Sequence, residues 1–218
     1  MRTITVKGVG SVSVKPDFVV LSILLETKNQ NYEKAMNEAA VKIDEISERL
    51  LMVGFEKDSL KTVDFNVRTD YDNKRDKAGN YHRVFNGYLV NHRLKLSFDF
   101  DVKALSNALS AIASCTADPE LSVDFTVKEP SAVNEALLKN ATENARKKAE
   151  ILCAASNSKL GELVTIDYNW GELNVYSKTN YSVDFDCIAA PSGAIRDIDI
   201  DPDDIDATDT VTFVWQIA

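Results

Sequence analysis

Between residues 84 and 100 the side chains alternate in kind. Tyr88, Val90, His92, Leu94, Leu96, Phe98 and Phe100 are mostly large and apolar, whereas Asn91, Arg93, Lys95, Ser97 and Asp99 are polar. Period-two alternation held over this length demands a long strand with one packed face and one wetter face. Helices must cover the packed face, so the chain is restricted to layers of helix on sheet.

The flanking segments fill in those layers. Residues 2–26 read as strand, short break and strand, with Gly8 and Gly10 permitting a bulge or tight bend and Pro16 suited to an edge or irregularity. From 29 to 53 the period changes: Tyr32, Met36, Ala39, Ile43, Ile46, Leu50 and Val53 recur at steps of four and three. This is one helix with one apolar stripe, packed on the sheet rather than in a coiled coil, and Gly54 follows as a left-handed cap. Residues 60–67 read as a strand, and 70–80 (DYDNKRDKAGN) as a polar, turn-rich connection that makes a hairpin with a long, mobile tip. Asp101 is placed to cap a second helix burying Leu105, Ala108, Leu109 and Ile112, and Val123, Phe125 and Val127 alternate as a strand ending at Pro130. The order from Val12 to Val127 is thus strand, helix, strand, strand, helix, strand. This predicts an α+β protein containing a ferredoxin-like βαββαβ unit with an antiparallel sheet.

A long helix and C-terminal strands follow. Pro130 opens a helix that runs to Ala155, with Val133, Ala136, Leu137, Ala141, Ala145, Ala149 and Leu152 on one side. So many alanines imply close approach to another backbone, either a sheet or a second subunit. Asn157 takes a left-handed cap, 160–168 resumes strand character, 175–185 holds an irregular strand or arm, and 189–193 (AAPSG) is a turn. The last element, 209–217, alternates Val211, Phe213, Trp215 and Ile217 and is expected to close a sheet edge. The whole is one unit over 1–218, divisible into subdomains at 12–129 and at 1–11 plus 130–218.

At 218 residues the chain needs no covalent staple, since a fold of this size buries roughly 70% of its unfolded surface. Its net charge of −9 repels phosphate backbones, and no Lys/Arg stripe with interleaved aromatics stands out, so nucleic acid is not an expected partner. Cys115, Cys153 and Cys187 are odd in number and lack CxxC spacing, which points to buried thiols rather than a disulfide framework or zinc site. No apolar region follows the opening MRTITVKG, and no stretch reaches the ~18 apolar residues of a membrane span. The expectation is a cytoplasmic protein, or a periplasmic or exported one whose signal has been removed.

Asp197, Asp199, Asp201, Asp203, Asp204, Asp206 and Asp209 place seven carboxylates in one run, the oxygen ligands that calcium prefers. The run lacks the glycine and closing glutamate of an EF-hand loop and Pro202 breaks its register, so it reads as a solvated acidic turn and edge strand. Asp70, Asp72 and Asp76 fail similarly, because Lys74 and Arg75 occupy positions that need an oxygen ligand and a glycine. His82 and His92 lie ten residues apart on one strand, at least ~30 Å, and cannot share a metal. Gly8-Val9-Gly10 lacks the rest of a phosphate loop, and the sequons at Asn140 and Asn180 read as chance matches. No catalytic, cofactor-binding or metal residues are assigned, and no cofactor is expected.

Several of these spacings resemble the SIMPL-domain family, which includes a bacterial periplasmic immunogenic protein and is largely of unknown function. Val6, Gly8, Gly10, Val12, Pro16 and Asp17 match its opening VxGxGxVxxxPD; Gly87, Tyr88 and Asn91 match its GYxxN element. Ala141, Ala145, Arg146, Lys148, Ala149, Glu150 and Leu152 match its AxxxARxKAExLA helix, with Cys153 replacing the usual alanine and Asn157 a helix-ending glycine. Gly161 fits the following LG, and Pro202, Ile205, Ala207, Val211 and Phe213 fit the closing strand. The resemblance implies an α+β bacterial protein that forms homo-oligomers, with some members linked to stress tolerance and no agreed catalytic residues. The resulting expectation is a non-enzymatic, self-associating scaffold or interaction protein with an unidentified protein partner, assembling through strand edges and the alanine-rich helix. The alternative is a small-molecule or calcium-binding protein with a cleft near the C-terminal acidic run.

Overall fold

The computed structural model describes residues 2–76, 79–168, 174–179, 181–183 and 200–218. Among the described residues it is an α+β structure with three α-helices and two antiparallel sheets. The chain divides into two compact units. One comprises Met1–Asp17, Phe125–Lys178 and Pro202–Ala218, the other Phe18–Asp124 and Thr179–Asp201.

The first unit holds β1 (Arg2–Val14), β6 (Leu160–Tyr168) and β8 (Ile205–Ile217) in the order β1-β8-β6, with α3 (Pro130–Ala155) on one face. Ala141, Ala145 and Ala149 pack against Val6, Val211, Phe213 and Trp215, while Val133 and Leu137 pack with Ile205 and Ala207. The buried positions of α3 recur every four residues through Cys153, and Leu152, expected in the stripe, is 52% exposed. A step of four overshoots one turn of a 3.6-residue helix, so the contact line winds around α3 and meets 153 instead of 152.

The two opening glycines do something other than bend the strand. β1 pairs with β8 without a register break from Arg2↔Ile217 to Val14↔Ile205, so there is no bulge at Gly8 or Gly10, and the chain breaks instead at 15–17. Val12 and Val14 therefore belong to β1, not to the strand that follows. A Cβ on Gly8 would lie 2.0 Å from the carbonyl oxygen of Ala141, and one on Gly10 would lie 2.1 Å from that of Leu137. The glycines are required because the helix backbone occupies the space of their side chains. The sheet is thus the neighbour that the alanines implied. β8 also departs from expectation: it starts at Ile205 and lies between β1 and β6, so it is the centre of its sheet and closes no edge.

The second unit contains β2 (Phe18–Asn29), α1 (Tyr32–Met52), β3 (Leu60–Arg75), β4 (Tyr81–Asp99), α2 (Val102–Ala113) and most of β5 (Glu120–Thr126), with the short β7 (Tyr181–Val183). Its sheet order is β3-β4-β2-β5-β7. Val19, Leu21 and Ile23 of β2 lie in register with Phe98, Leu96 and Leu94 of β4, and these six side chains share one face of the sheet, with α1 packed on both strands and α2 against α1. The Asn31 side chain accepts from the Lys34 amide at 3.1 Å and that of Asp101 from the Ala104 amide at 2.7 Å, so each helix starts on a carbonyl or carboxylate cap. Gly54 takes φ of 100° after α1, the expected left-handed position.

The β3–β4 hairpin corrects the reading of 70–80 as a connection. β3 continues to Arg75 and β4 starts at Tyr81, so most of that segment is strand. Cross-strand contacts hold the extension: the Tyr71 and Phe85 rings meet edge to face at 5.8 Å, and the Arg83 guanidinium lies 4.7 Å from the Tyr71 ring centre. Around 175–185, Val175 is buried, Thr126 bridges Tyr176 and β7 forms. The turn expected at 189–193 lies outside the described residues.

Gly8→Ala is expected to destabilise the protein by at least about 1–3 kcal/mol, because backbone rather than a flexible side chain must move. Urea unfolding followed by circular dichroism measures this, and a midpoint unchanged from wild type would contradict the close helix approach.

Candidate functional site

The acidic run does not build a cation site from its described members. Asp206 and Asp209 sit at positions of opposite parity on β8, so their side chains leave opposite faces of the sheet. Asp206 accepts from the Ser13 hydroxyl at 2.7 Å and Asp209 from the Thr210 amide at 2.6 Å. Asp197 and Asp199 lie outside the described residues, as do Cys187 and Asn180. Among the described residues no three His, Cys, Asp or Glu side chains converge as metal ligands.

The histidines are separated as their spacing requires. His82 bonds Asp76 at 2.7 Å near the hairpin turn, whereas His92 is buried in the sheet and bonds the Thr62 hydroxyl at 2.8 Å. The Phe65 ring meets His92 edge to face at 5.0 Å. Burial holds the His92 pKa below its ordinary value, against a smaller opposing pull from Asp64. Cys115 and Cys153 are buried, and burial, reinforced by Glu45, pushes the Cys115 thiol up to about 11, where it is a poor nucleophile. Asn140, the first sequon residue, instead donates its side-chain amide to the Ser11 carbonyl at 3.0 Å.

A recess of about 460 Å³ opens on the sheet of the second unit, on the face away from α1 and α2. Ser22 and Leu24 of β2, Arg93 of β4, Glu120 and Ser122 of β5 and Ser182 of β7 line it. Its volume suits a small molecule, and its polar lining is three serine hydroxyls, the Arg93 cation and the Glu120 carboxylate. It offers hydrogen bonds and one charge of each sign.

The second feature was not legible as a site in the sequence. β2 ends at Asn29 opposite Tyr88, so residues 71–75 and 81–85 pair only with each other among the described strands and form a two-stranded ribbon. Register puts Tyr71, Asn73 and Arg75 on one face with Phe85, Arg83 and Tyr81. On that face Phe85 meets Tyr88 at 5.4 Å and Arg75 approaches the Tyr81 ring at 6.0 Å. The available signal was the period-two pattern in both halves of 71–85. It was masked by the Asp, Lys and Asn residues that make this segment read as loop.

The base of the ribbon explains a conspicuous local motif. Gly87 has φ of 129°, and a Cβ there would lie 2.7 Å from the Asn29 carbonyl oxygen, so only glycine lets β2 end against β4 at this point. Tyr88 packs edge to face on Tyr32 at 5.5 Å. Asp70 accepts from Lys28 at 2.5 Å and from the Asn86 amide at 3.1 Å, and the Lys28 bond holds its carboxyl below the usual range.

The family model described as SIMPL, a protein of unknown function (DUF541), matches residues 4–215. No curated protein matches the chain. No helix among the described residues is long and apolar enough to cross a membrane.

Because the folded-state pKa of Asp70 is depressed, its clamp contributes above the unfolded carboxylate pKa of about 3.9 and is lost as pH falls below that value. Amide-exchange protection at 71–75 and 81–86 is therefore expected to fall as pH drops from about 5 to about 3. Asp70→Asn should show reduced protection at neutral pH and a flatter pH dependence; equal profiles for both proteins would remove the clamp from the account.

Proposed function

The chain belongs to the SIMPL family (DUF541), and from that premise we propose a non-enzymatic role in which copies of the chain associate through an exposed sheet edge. The observation that carries this reading is the contrast between the two edges of the β1-β8-β6 sheet. Along β1, the Lys7 and Ser11 carbonyls accept from Lys148 and Asn140, and the Val9 amide donates to Asn144. Three side chains of α3, spaced by four, thus satisfy backbone groups that would otherwise recruit another strand.

Among the described residues β6 has no such cover. Every residue from 161 to 167 is exposed, including Leu163, Val164 and Ile166, the last at 54%. An apolar strand edge of this kind is a template for strand addition. β6 breaks register with β8 at 161–162 and at 164, so an antiparallel pair of two β6 strands uses the regular run from Thr165 to Tyr168, where Ile166 faces Asp167 of the other copy and no like charges oppose. The alanine face of α3, by contrast, is buried within its own unit and supports no subunit contact.

The strand order β3-β4-β2-β5, with α1 after β2 and α2 after β4, supports reading the second unit as ferredoxin-like. A second functional reading is favoured by the recess around Arg93, whose cation, Glu120 carboxylate and three serine hydroxyls suit a small polar ligand carrying charges of both signs.

Size-exclusion chromatography with light scattering is expected to give a discrete multimer, and Ile166→Asp, which sets like charges opposite each other in the pair, should lower the mass while leaving the circular dichroism spectrum unchanged. A wild-type chain that is monomeric at all accessible concentrations would sink the assembly reading and direct attention to the recess.

A further inference from the structure

We infer that the two-stranded ribbon at 71–75 and 81–85 is a docking arm that seats on the acidic segment at 201–209 of a second copy of the chain. This rests on the self-association reading and names a second contact for it. An arm built from five cross-strand pairs extends about 17 Å past the end of β2. Two-stranded ribbons are marginal in water when they stand alone. This one nevertheless exposes Tyr71, Tyr81, Val84 and Phe85, with Tyr81 at 70%.

Contacts at its base and within it hold the arm in shape. At its base Asp70 is clamped by Lys28 and Asn86; at its turn the Asp76 carboxylate accepts from the Asn80 amide at 2.8 Å and bonds His82 at 2.7 Å. Two of its guanidiniums lie against aromatic rings, Arg83 on Tyr71 and Arg75 on Tyr81. Tyrosine and arginine held rigid in this way are the side chains that anchor protein interfaces at low entropic cost.

Charge selects the occupant. Residues 71–85 contain four Lys or Arg against two Asp, a local +2 in a chain of −9, which leaves −11 for the rest. From 197 to the last residue there is no Lys or Arg at all, and Asp201, Asp204 and Asp206 are exposed. Guanidiniums and carboxylates pair through strong, oriented hydrogen bonds. A single strand of nucleic acid would also stack on such a face, but it must approach against the negative field of the remaining chain.

The test uses three versions of the full chain: wild type, Arg75→Glu with Arg83→Glu, and Asp201→Arg with Asp204→Arg. Each double variant alone is expected to associate on the order of 10-fold more weakly by light scattering, as loss of interface anchors does, and mixing the two should restore the contact through the reversed pair. Wild-type mass should also fall as salt rises toward 0.5 M, by roughly the screening expected. A monomeric wild type overturns both this inference and the assembly reading. A multimer whose mass ignores the arm reversal, or a mixture that fails to restore it, overturns the arm contact alone. Binding of a fluorescent single-stranded oligonucleotide that is lost in the arm variant, with the multimer unchanged, would assign the arm to nucleic acid instead.

Discussion

The carbonyl oxygens of Leu137 and Ala141 occupy the places where side chains at positions 10 and 8 would stand, and much of the first unit follows from that approach. A helix so near a strand must present small residues, which accounts for Ala141, Ala145 and Ala149 along the contact line. It also brings Asn140, Asn144 and Lys148 within reach of the outward backbone groups of β1. Close packing and edge capping are therefore one arrangement. Once β1 is capped from α3, β8 has strands on both sides and, among the described strands, the open edge of the sheet is left to β6.

What the residues alone revealed was local. α3 spans Pro130–Ala155 as read, because a proline at the first turn and a helical apolar stripe state both its start and its period. The cap at Asp101 and the packed parity of β4 were legible for the same reason: each depends on neighbours within a few residues. The roles of Gly8 and Gly10 were not, because a glycine that allows a bend and a glycine that admits a helix are identical in sequence. The partner that distinguishes them lies more than 120 residues away in the chain.

The site followed the same division. His82 and His92 were kept apart by simple strand length, and the structure gives them separate partners. The ribbon face was hidden because its members alternate with Asp72, Lys74 and His82, and polar alternation in a two-stranded ribbon looks like a loop when read one strand at a time. Cross-strand register supplies what is missing: it sets Tyr71 opposite Phe85 and Arg75 opposite Tyr81, turning two weak patterns into one aromatic and cationic surface. The same register explains why a chain of net charge −9 lacks a basic stripe in its linear order and still displays one in space.

The two proposed contacts differ in symmetry, and that difference determines what they build together. Pairing of β6 with β6 uses the same patch on both copies, so it closes on a two-fold axis and stops at two chains. An arm seated on the acidic segment of another copy joins unlike surfaces, so every copy still has one arm and one acidic segment to offer after the first contact is made. Heterologous contacts of this type propagate until a rotation closes them into a ring, or continue as a filament. A chain with both contacts would therefore assemble beyond a dimer, with the β6 edge setting the pair and the charged arm setting how pairs are linked. Salt acts unequally on the two, since screening weakens the guanidinium–carboxylate contact, whereas β6 carries Glu162 and Asp167 and no cation, so screening does not weaken a pair of β6 strands. Ionic strength is accordingly the physical variable that would separate the two proposed contacts.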